Sequence, residues 1–368
     1  MKKIKTADSI ICENRDSIFN YFAWPSVAKL PDGTLAMAAS GYRLGHICPF
    51  GKAVICYSCD GGKSWTRPAA VIDTPLDDRD AGLSVFGNNV IFTSFNNSIE
   101  QQRRWNSGKS KLIDAYLDSV DEVSAEEEYL GSTFRVSADG GYTFGKIMHA
   151  PVSAPHGMCV LPGGGILYIG RPGNYGKRSK ILFSGYDRIE CHRMTENFGF
   201  EYMSCIENVS IDGRAVLSCE PFAFALDDMN IIVHIRVQAG NNDDIFTILQ
   251  SESHDGGMTW SKPHTIGLPH GSPAHIIRHS SGVLVSVYGY RLKPYGERVM
   301  FSTDGGKSWL CDYILRDDGP DIELGYPCSV ELPDGKILTV YYQHEAEEKT
   351  AVIMQSVWEI PREILAKL

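Results

Sequence analysis

A chain of 368 residues with 43% hydrophobic and 22% charged residues has the make-up of a globular protein able to bury a sizeable core. Its 45 acidic residues outnumber 35 basic ones, a formal charge of −10, which argues against non-specific nucleic-acid binding but leaves room for a locally basic site that takes a small anion. No apolar run approaches about 18 residues, so no membrane span is expected. The N-terminus, Met1-Lys2-Lys3-Ile4-Lys5, has no apolar signal-peptide core, and the ten cysteines show no C-x-x-C spacing. They read as reduced, buried small hydrophobes in a protein expected in the cytoplasm, with no metal or other cofactor.

The elements follow in chain order. Residues 24–39 form an apolar run broken at Pro31-Asp32-Gly33, the pattern of a two-stranded hairpin. Ser58-Cys59-Asp60-Gly61-Gly62-Lys63-Ser64-Trp65 follows, with an Asp-Gly turn signal and an aromatic anchor. A second hairpin spans 81–94 about Gly87-Asn88-Asn89. The stretch 98–130 differs: residues 110–123 carry apolar residues at helical spacing and predict a helix, and Glu126-Glu127-Glu128 reads as a solvated face. Ser137-Ala138-Asp139-Gly140-Gly141-Tyr142-Thr143-Phe144 repeats the earlier octad. Hairpins at 157–170, 221–235, 273–288 and 326–341 complete a set of six. Two further octads lie at 253–260 and 302–309, so Ser-x-Asp-Gly-Gly-x-Ser/Thr-aromatic occurs four times. Repeats of about 53 to 75 residues fit one four-stranded blade each. The expected fold is all-β: residues 1–368 form a single six-bladed β-propeller of antiparallel four-stranded blades. A mainly helical insertion at about 98–130 belongs to the second blade region and overhangs the ligand-binding face.

Propeller topology sends the start of each first strand and the end of each second strand toward one face. The starts are Trp24, Asp80 (after Arg79), His156, Glu220, Ser272 with His275 close behind, and Tyr326. The ends include Arg43, Arg171, Arg236, Arg291 and Gln343. Arg, His, Asp, Glu and Tyr at matched positions point to a functional site. Several arginines facing one pocket suggest capture of a carboxylate, sulfate or phosphate. Glu220 and Tyr326 suggest a phenol activated by a carboxylate base, because a free phenol with a pKa near 10 is a poor nucleophile.

The octad resembles the Asp-box of the sialidase (BNR-repeat) superfamily of β-propellers, and the resemblance spans nearly the whole chain. It implies that Glu220 and Arg236 match the sialidase glutamate and second triad arginine, and that Arg298 is the third. Tyr326 takes the place of the nucleophilic tyrosine, and Arg43 that of an arginine near the acid loop. A tyrosine nucleophile is a sialidase trait, explained by the repulsion a carboxylate nucleophile would meet beside an anionic sugar. Two places depart from the family. Ala23-Trp24-Pro25-Ser26 stands where the first triad arginine heads an Arg-Ile-Pro motif, and Trp24 suggests sugar stacking instead. The loop after Arg43, Leu44 to Lys52, holds no carboxylate, leaving His46, Lys52, Asp77, Asp78 or Asp80 as the substitute acid. The expected activity is a sialidase-like glycosidase acting on a terminal, acidic sugar, with Tyr326 and Glu220 catalytic and Asp80 or His46 as acid. Arg236, Arg298, Arg43, Arg291, Arg171, Trp24, His156 and His275 would bind a small carbohydrate. The alternatives are a uronate-type lyase or isomerase, in which Tyr or His abstracts a proton beside a carboxylate, and a non-catalytic sugar-binding propeller.

Overall fold

Tight turns start the blades. At Pro31-Asp32-Gly33 and Pro333-Asp334-Gly335 the glycines sit at φ 89° and 78°, a left-handed conformation that residues with a Cβ rarely adopt. Each Asp side chain accepts the amide two residues on, at 2.9 Å from Thr34 and 3.2 Å from Lys336. The computed structural model describes residues 1–172, 188–239, 244–345 and 350–368. In it every predicted hairpin becomes the first two strands of an antiparallel sheet, and the fold is a six-bladed β-propeller.

Blade 1 comprises Tyr21–Lys29, Leu35–Arg43, Lys52–Ser58 and Ala69–Ile72. Blade 2 comprises Arg79–Phe86, Asn89–Phe95, Ser132–Ser137 and Met148–Ala150. Blade 3 comprises Cys159–Val160, Ile166–Pro172, Ile189–Met194 and Phe200–Ile206, with Val152–Ser153 added beside its second strand. Blade 4 comprises Leu217–Ala225, Ile231–Ala239, Ile245–Ser253 and His264–Thr265. Blade 5 comprises Ala274–Arg278, Leu284–Tyr290, Gly296–Ser302 and Leu310–Ile314. Blade 6 takes Leu324–Glu331, Ile337–His344 and Ala351–Trp358 from the C-terminal end, and its outer strand, Thr6–Cys12, from the N-terminal end.

The apolar core is a ring rather than a centre. One buried cluster fills each of the six seams between neighbouring blades. The strands are apolar on both faces because each blade is covered on both sides by its neighbours. Cys12, Tyr326 and Trp24 share the seam between blades 6 and 1.

The four octads join the third and fourth strands of blades 1, 2, 4 and 5. In the first, Asp60 Oδ1 accepts from the Ser58 hydroxyl at 2.8 Å and the Ser64 amide at 2.9 Å. The hydroxyl and amide donors pull the Asp60 and Asp255 carboxyls down to about 2. The aromatic anchor reaches the preceding blade. Trp309 Nε1 donates to Gln250 Oε1 at 2.7 Å, and Gln250 Nε2 donates back to the Gly306 carbonyl at 2.8 Å. Trp65 and Gln355 repeat this exchange at 3.0 and 2.6 Å. Trp260 makes the same exchange with the Ser204 hydroxyl at 2.9 and 2.5 Å. Phe144 has no N–H, and there the partner is Tyr57, whose hydroxyl only needs to donate, to Gly141 O at 2.7 Å. These turns therefore staple blades together, a role beyond local turn rigidity.

The insertion lies between the second and third strands of blade 2. The single helix expected at 110–123 is instead two, Lys111–Ser119 and Glu122–Tyr129, preceded by a third, Ile99–Asn106. Ser110 and Asp121 cap the second and third helices, so the chain restarts at Asp121 instead of continuing. Glu126 is not simply solvated: its carboxylate accepts the Ile99 amide at 2.8 Å at the start of the first helix. Gln102 Nε2 donates to Asp77 Oδ2 at 3.1 Å and ties that helix to the loop between blades 1 and 2.

Candidate active site

Five blades carry a residue with positive φ at or near the start of the first strand: Trp24 at 54°, Asp80 at 51°, His156 at 66°, Glu220 at 46° and Tyr326 at 53°. None is glycine, and each carries a strain of about 1 kcal/mol or more. At four of them the strand register breaks, between Ala23/Ser26, Arg79/Gly82, Cys219/Phe222 and Gly325/Cys328. A bulge turns the side chain out of the sheet alternation. Repeated around the ring, it gathers these side chains at one end of the central channel.

Tyr326, Glu220 and Arg236 form one hydrogen-bonded unit across blades 6 and 4. The Tyr326 hydroxyl donates to Glu220 Oε1 at 2.7 Å, and Arg236 Nη1 donates to Glu220 Oε2 at 2.6 Å and to the Tyr326 oxygen at 3.2 Å. Burial alone would raise the Glu220 carboxyl, but the Arg236 charge and the phenol outweigh it and the carboxyl is lowered. Burial and the Glu220 charge push the Tyr326 phenol well above its ordinary value. The pair is therefore an ionised carboxylate beside a neutral phenol, the arrangement that lets a base take the phenol's proton. Beside them Gly289 and Gly325 bring blades 5 and 6 together backbone to backbone; a Cβ on Gly289 would lie 3.0 Å from the Gly325 Cα.

A cavity of about 360 Å³ opens here, with Asp80, Glu220, Arg236, Gln238 and Arg171 on its wall. Gln101 and Trp105 of the Ile99–Asn106 helix line it as well, so the insertion forms part of the wall. Burial raises the Asp80 carboxyl to about 7 against the pull of Arg79, and the Glu220 charge adds to the rise. Asp80 Oδ1 is buried with no hydrogen-bond partner among the described residues. Two carboxyls thus face one cavity in opposite protonation states, Glu220 ionised and Asp80 able to hold a proton near neutrality, the separation expected of a base and an acid.

Other expected site residues are not among the described residues that line the cavity. Arg298 is fully buried; its donors go to the carbonyls of Glu297 and Pro294 at 3.1 and 2.7 Å and to that of Arg316. Arg43 is buried against Asp77 at 2.5 Å and bonds the carbonyls of Asp78 and His46. Neither offers a fork to a ligand, because Arg298 spends both amino groups on backbone carbonyls and Arg43 has carbonyls and a carboxylate closer at hand. Trp24 is only 2% exposed, with Arg79 and Arg43 at 4.4 and 5.0 Å from its ring, so it presents no face for a sugar. His156 and His275 are buried too, with their rings 5.3 Å apart, and His275 packs on Phe222 at 4.2 Å. Burial drives the His156 imidazole down to about 3 and that of His275 well below its usual value, so both are neutral. His46 sits against Trp24, with Nδ1 3.1 Å from Glu323. Lys52 pairs with Asp73, and Asp77 and Asp78 are buried in the loop they brace. Of the substitute acids weighed, Asp80 lines the cavity. Arg291 donates to the Leu324 carbonyl at 3.1 Å and lies 5.3 Å from the Phe246 ring, on which Arg236 also rests at 4.9 Å.

Sequence reasoning passed over Gln238 and Glu323 and gave Arg79 no role of its own. Gln238 lies two residues beyond Arg236 on the same strand face, a spacing that could have revealed it. Glu323 accepts from the Tyr21 hydroxyl at 2.8 Å, and despite burial the His46 contact helps hold its carboxyl down at about 2. No local pattern marks it. Arg79 was seen only as the neighbour of Asp80, yet it stacks on Trp24 and is buried.

The whole fold aligns with solved structures at low identity. A protein of unknown function from Dyadobacter fermentans superposes with TM-score 0.73 at 21% identity, covering 97% of this chain and 99% of that one. The intramolecular trans-sialidase from Ruminococcus gnavus, in complex with oseltamivir carboxylate, gives 0.64 at 14% identity, over 97% and 98%. An α-L-arabinofuranosidase from Fusarium graminearum gives 0.57 at 12% identity, over 98% and 99%. No curated protein matches the sequence. The model of the BNR repeat-like domain matches residues 135–339, more than half of the chain, and with the four stapling octads and six blades it places this protein in the BNR repeat-like domain family.

Proposed function

We propose that this protein is a glycoside hydrolase in which Tyr326, activated by Glu220, attacks the anomeric carbon and Asp80 is the general acid. The observation that carries the reading is the Tyr326–Glu220–Arg236 unit beside a cavity that also holds a protonatable Asp80. In the first step Asp80 gives its proton to the leaving oxygen as the glycosidic C–O bond breaks. The Tyr326 oxygen forms the new bond to carbon and its proton passes to Glu220. In the second step a water attacks the same carbon and gives its proton to the Asp80 carboxylate; Glu220 returns its proton to the departing phenolate. Two displacements retain the anomeric configuration. The trans-sialidase and the arabinofuranosidase of this fold support sugar chemistry of more than one kind on such a scaffold.

An activated fluoroglycoside, which slows the second step, tests the assignment. A covalent adduct mapped by mass spectrometry to Tyr326 is expected, and Tyr326→Phe is expected to lower kcat on aryl glycosides by about 10²-fold or more. An adduct on Glu220 or Asp80, or full activity in Tyr326→Phe, rules out the tyrosine nucleophile.

A further inference from the structure

The arginine expected to grip a substrate carboxylate is already occupied. Arg236 Nε and Nη2, the edge that would take a carboxylate in parallel, both donate to one atom, Gln238 Oε1, at 2.9 and 2.6 Å. Its remaining amino group, Nη1, is taken by Glu220 Oε2 and Tyr326 Oη at 2.6 and 3.2 Å. Bidentate capture needs two parallel N–H groups on one edge of the guanidinium, and no edge of Arg236 has both. The side chain is also locked in place, since Phe246 lies against its guanidinium at 4.9 Å. The positions that complete a clamp do not replace it: Trp24 stands at one, and Arg298 is turned into backbone carbonyls. Arg291 gives Nη2 to the Leu324 carbonyl at 3.1 Å and, like Tyr326, is not among the described residues that line the cavity.

Apart from Asp80 and Arg171, a cation that already has an interaction of its own, the rest of the described wall is uncharged. Asn97, Gln101, Ser132 and Ser153 offer uncharged donors and acceptors, and Phe95 and Trp105 offer aromatic surface. Hydroxyl-bearing rings are bound by such groups: amides and hydroxyls pair with the sugar hydroxyls, and aromatic faces cover the C–H surface. A sugar carboxylate in this cavity would instead face the ionised Glu220, with no open arginine edge on blade 4 to offset the repulsion.

We propose that Gln238 sets the charge class of the substrate: by capping Arg236 it makes the cavity a site for an uncharged pyranose or furanose rather than a carboxylated sugar. This deepens the hydrolase reading and rests on the same cavity. The neutral phenol of Tyr326 avoids repulsion with an anionic sugar but does not depend on one, so the catalytic unit serves either class and the cap decides between them.

The test is equilibrium binding by calorimetry, which does not require turnover. The probes are matched methyl thioglycosides: neutral hexosides and pentosides against the corresponding hexuronides and a thiosialoside. The wild-type protein is expected to bind at least one neutral probe about tenfold or more tighter than any carboxylated one. Gln238→Ala, with the fork uncovered, is expected to gain about tenfold for carboxylated probes at neutral pH. Gln238→Glu keeps the cap and is expected to retain the neutral preference, which serves if Gln238→Ala fails to fold. Carboxylated probes binding as well as or better than neutral ones to the wild-type protein, or neither class binding, overturns the proposal. Neutral binding without hydrolysis of the matched aryl glycosides would sink the hydrolase reading and leave the charge class standing.

Discussion

At the scale of the residue, the site is made by backbone conformation as much as by side-chain identity. Trp24, Asp80, Glu220 and Tyr326 share a left-handed φ and a register break, so a strained bulge recurs where the chemistry-bearing side chains emerge. The same bulge delivers an acid in blade 2 and a base in blade 4, and their surroundings separate them. Asp80 is buried, with an oxygen that has no partner among the described residues, and rises to about 7, whereas Glu220 is held down by Arg236. A raised carboxyl holds its proton at lower pH and loses it as the pH climbs through about 7. Hydrolysis is therefore expected to fall on the alkaline side of about 7 in the wild-type protein. In Asp80→Asn that limb should vanish and kcat drop by about 10²–10³-fold. An aryl glycoside with an acidic leaving phenol, which needs no protonation, should recover most of the loss. A pH–rate profile on two leaving groups checks this, and an unchanged alkaline limb in Asp80→Asn would remove Asp80 from the acid's role.

At the scale of the element, the Asp-box shows how a local signal acquires a tertiary job. Its carboxylate closes the turn, and its glycine carbonyl and indole N–H then meet one side chain of the preceding blade. Gln250 and Gln355 suit this because an amide both donates and accepts. Tyr57 suffices opposite Phe144, where no N–H needs an acceptor. The Trp309–Gln250 pair is buried, so losing either member leaves a polar atom without its partner. A double-mutant cycle of Trp309→Phe and Gln250→Ala, read by urea denaturation, is expected to show a coupling of about 1 kcal/mol. Additive single effects would mean that the staple contributes nothing beyond the packing of its rings. The insertion makes the complementary point. Its helical character is legible in the spacing of apolar residues, but its division into three helices depends on Ser110 and Asp121 capping and on Glu126 bonding the Ile99 amide.

At the scale of the whole molecule, a ring of blades has to close. Here Thr6–Cys12 supplies the outer strand of blade 6 by pairing with Ala351–Trp358, and Lys2–Lys3 adds in parallel to Leu310–Ile314 of blade 5. Asp8 accepts the Ser356 hydroxyl at 2.6 Å and lies 3.0 Å from Arg316, which fixes the register of the clasp. Because the core is distributed over the seams, opening one seam exposes apolar surface without dissolving the others. Removing residues 1–12 is expected to lower Tm by about 5 °C or more. Amide exchange should quicken in 351–358 ahead of the other blades. Uniform protection across all blades in the truncated chain would show that closure does not rest on this strand.

Much of this was written in the chain. Asp-Gly turns, alternating hairpins and the repeated octad are local, and local signals survive in a sequence because neighbouring residues create them. They determined the propeller, its blade count, the position of the insertion and the matched positions from which Tyr326, Glu220, Arg236 and Asp80 emerge. Which arginines face the cavity was a different kind of question. Arg298 and Arg43 stand at plausible distances along the chain, but their guanidinium groups are turned into carbonyls and a carboxylate supplied by folding. Gln238 on Arg236, Trp24 between two arginines and the buried Asp80 are likewise relations between groups that meet only in space. Hydrogen-bond capture and desolvation act over a few ångströms whatever the separation in sequence. The residues at the site could thus be read one by one, while their charge, availability and partners were decided by the closed ring.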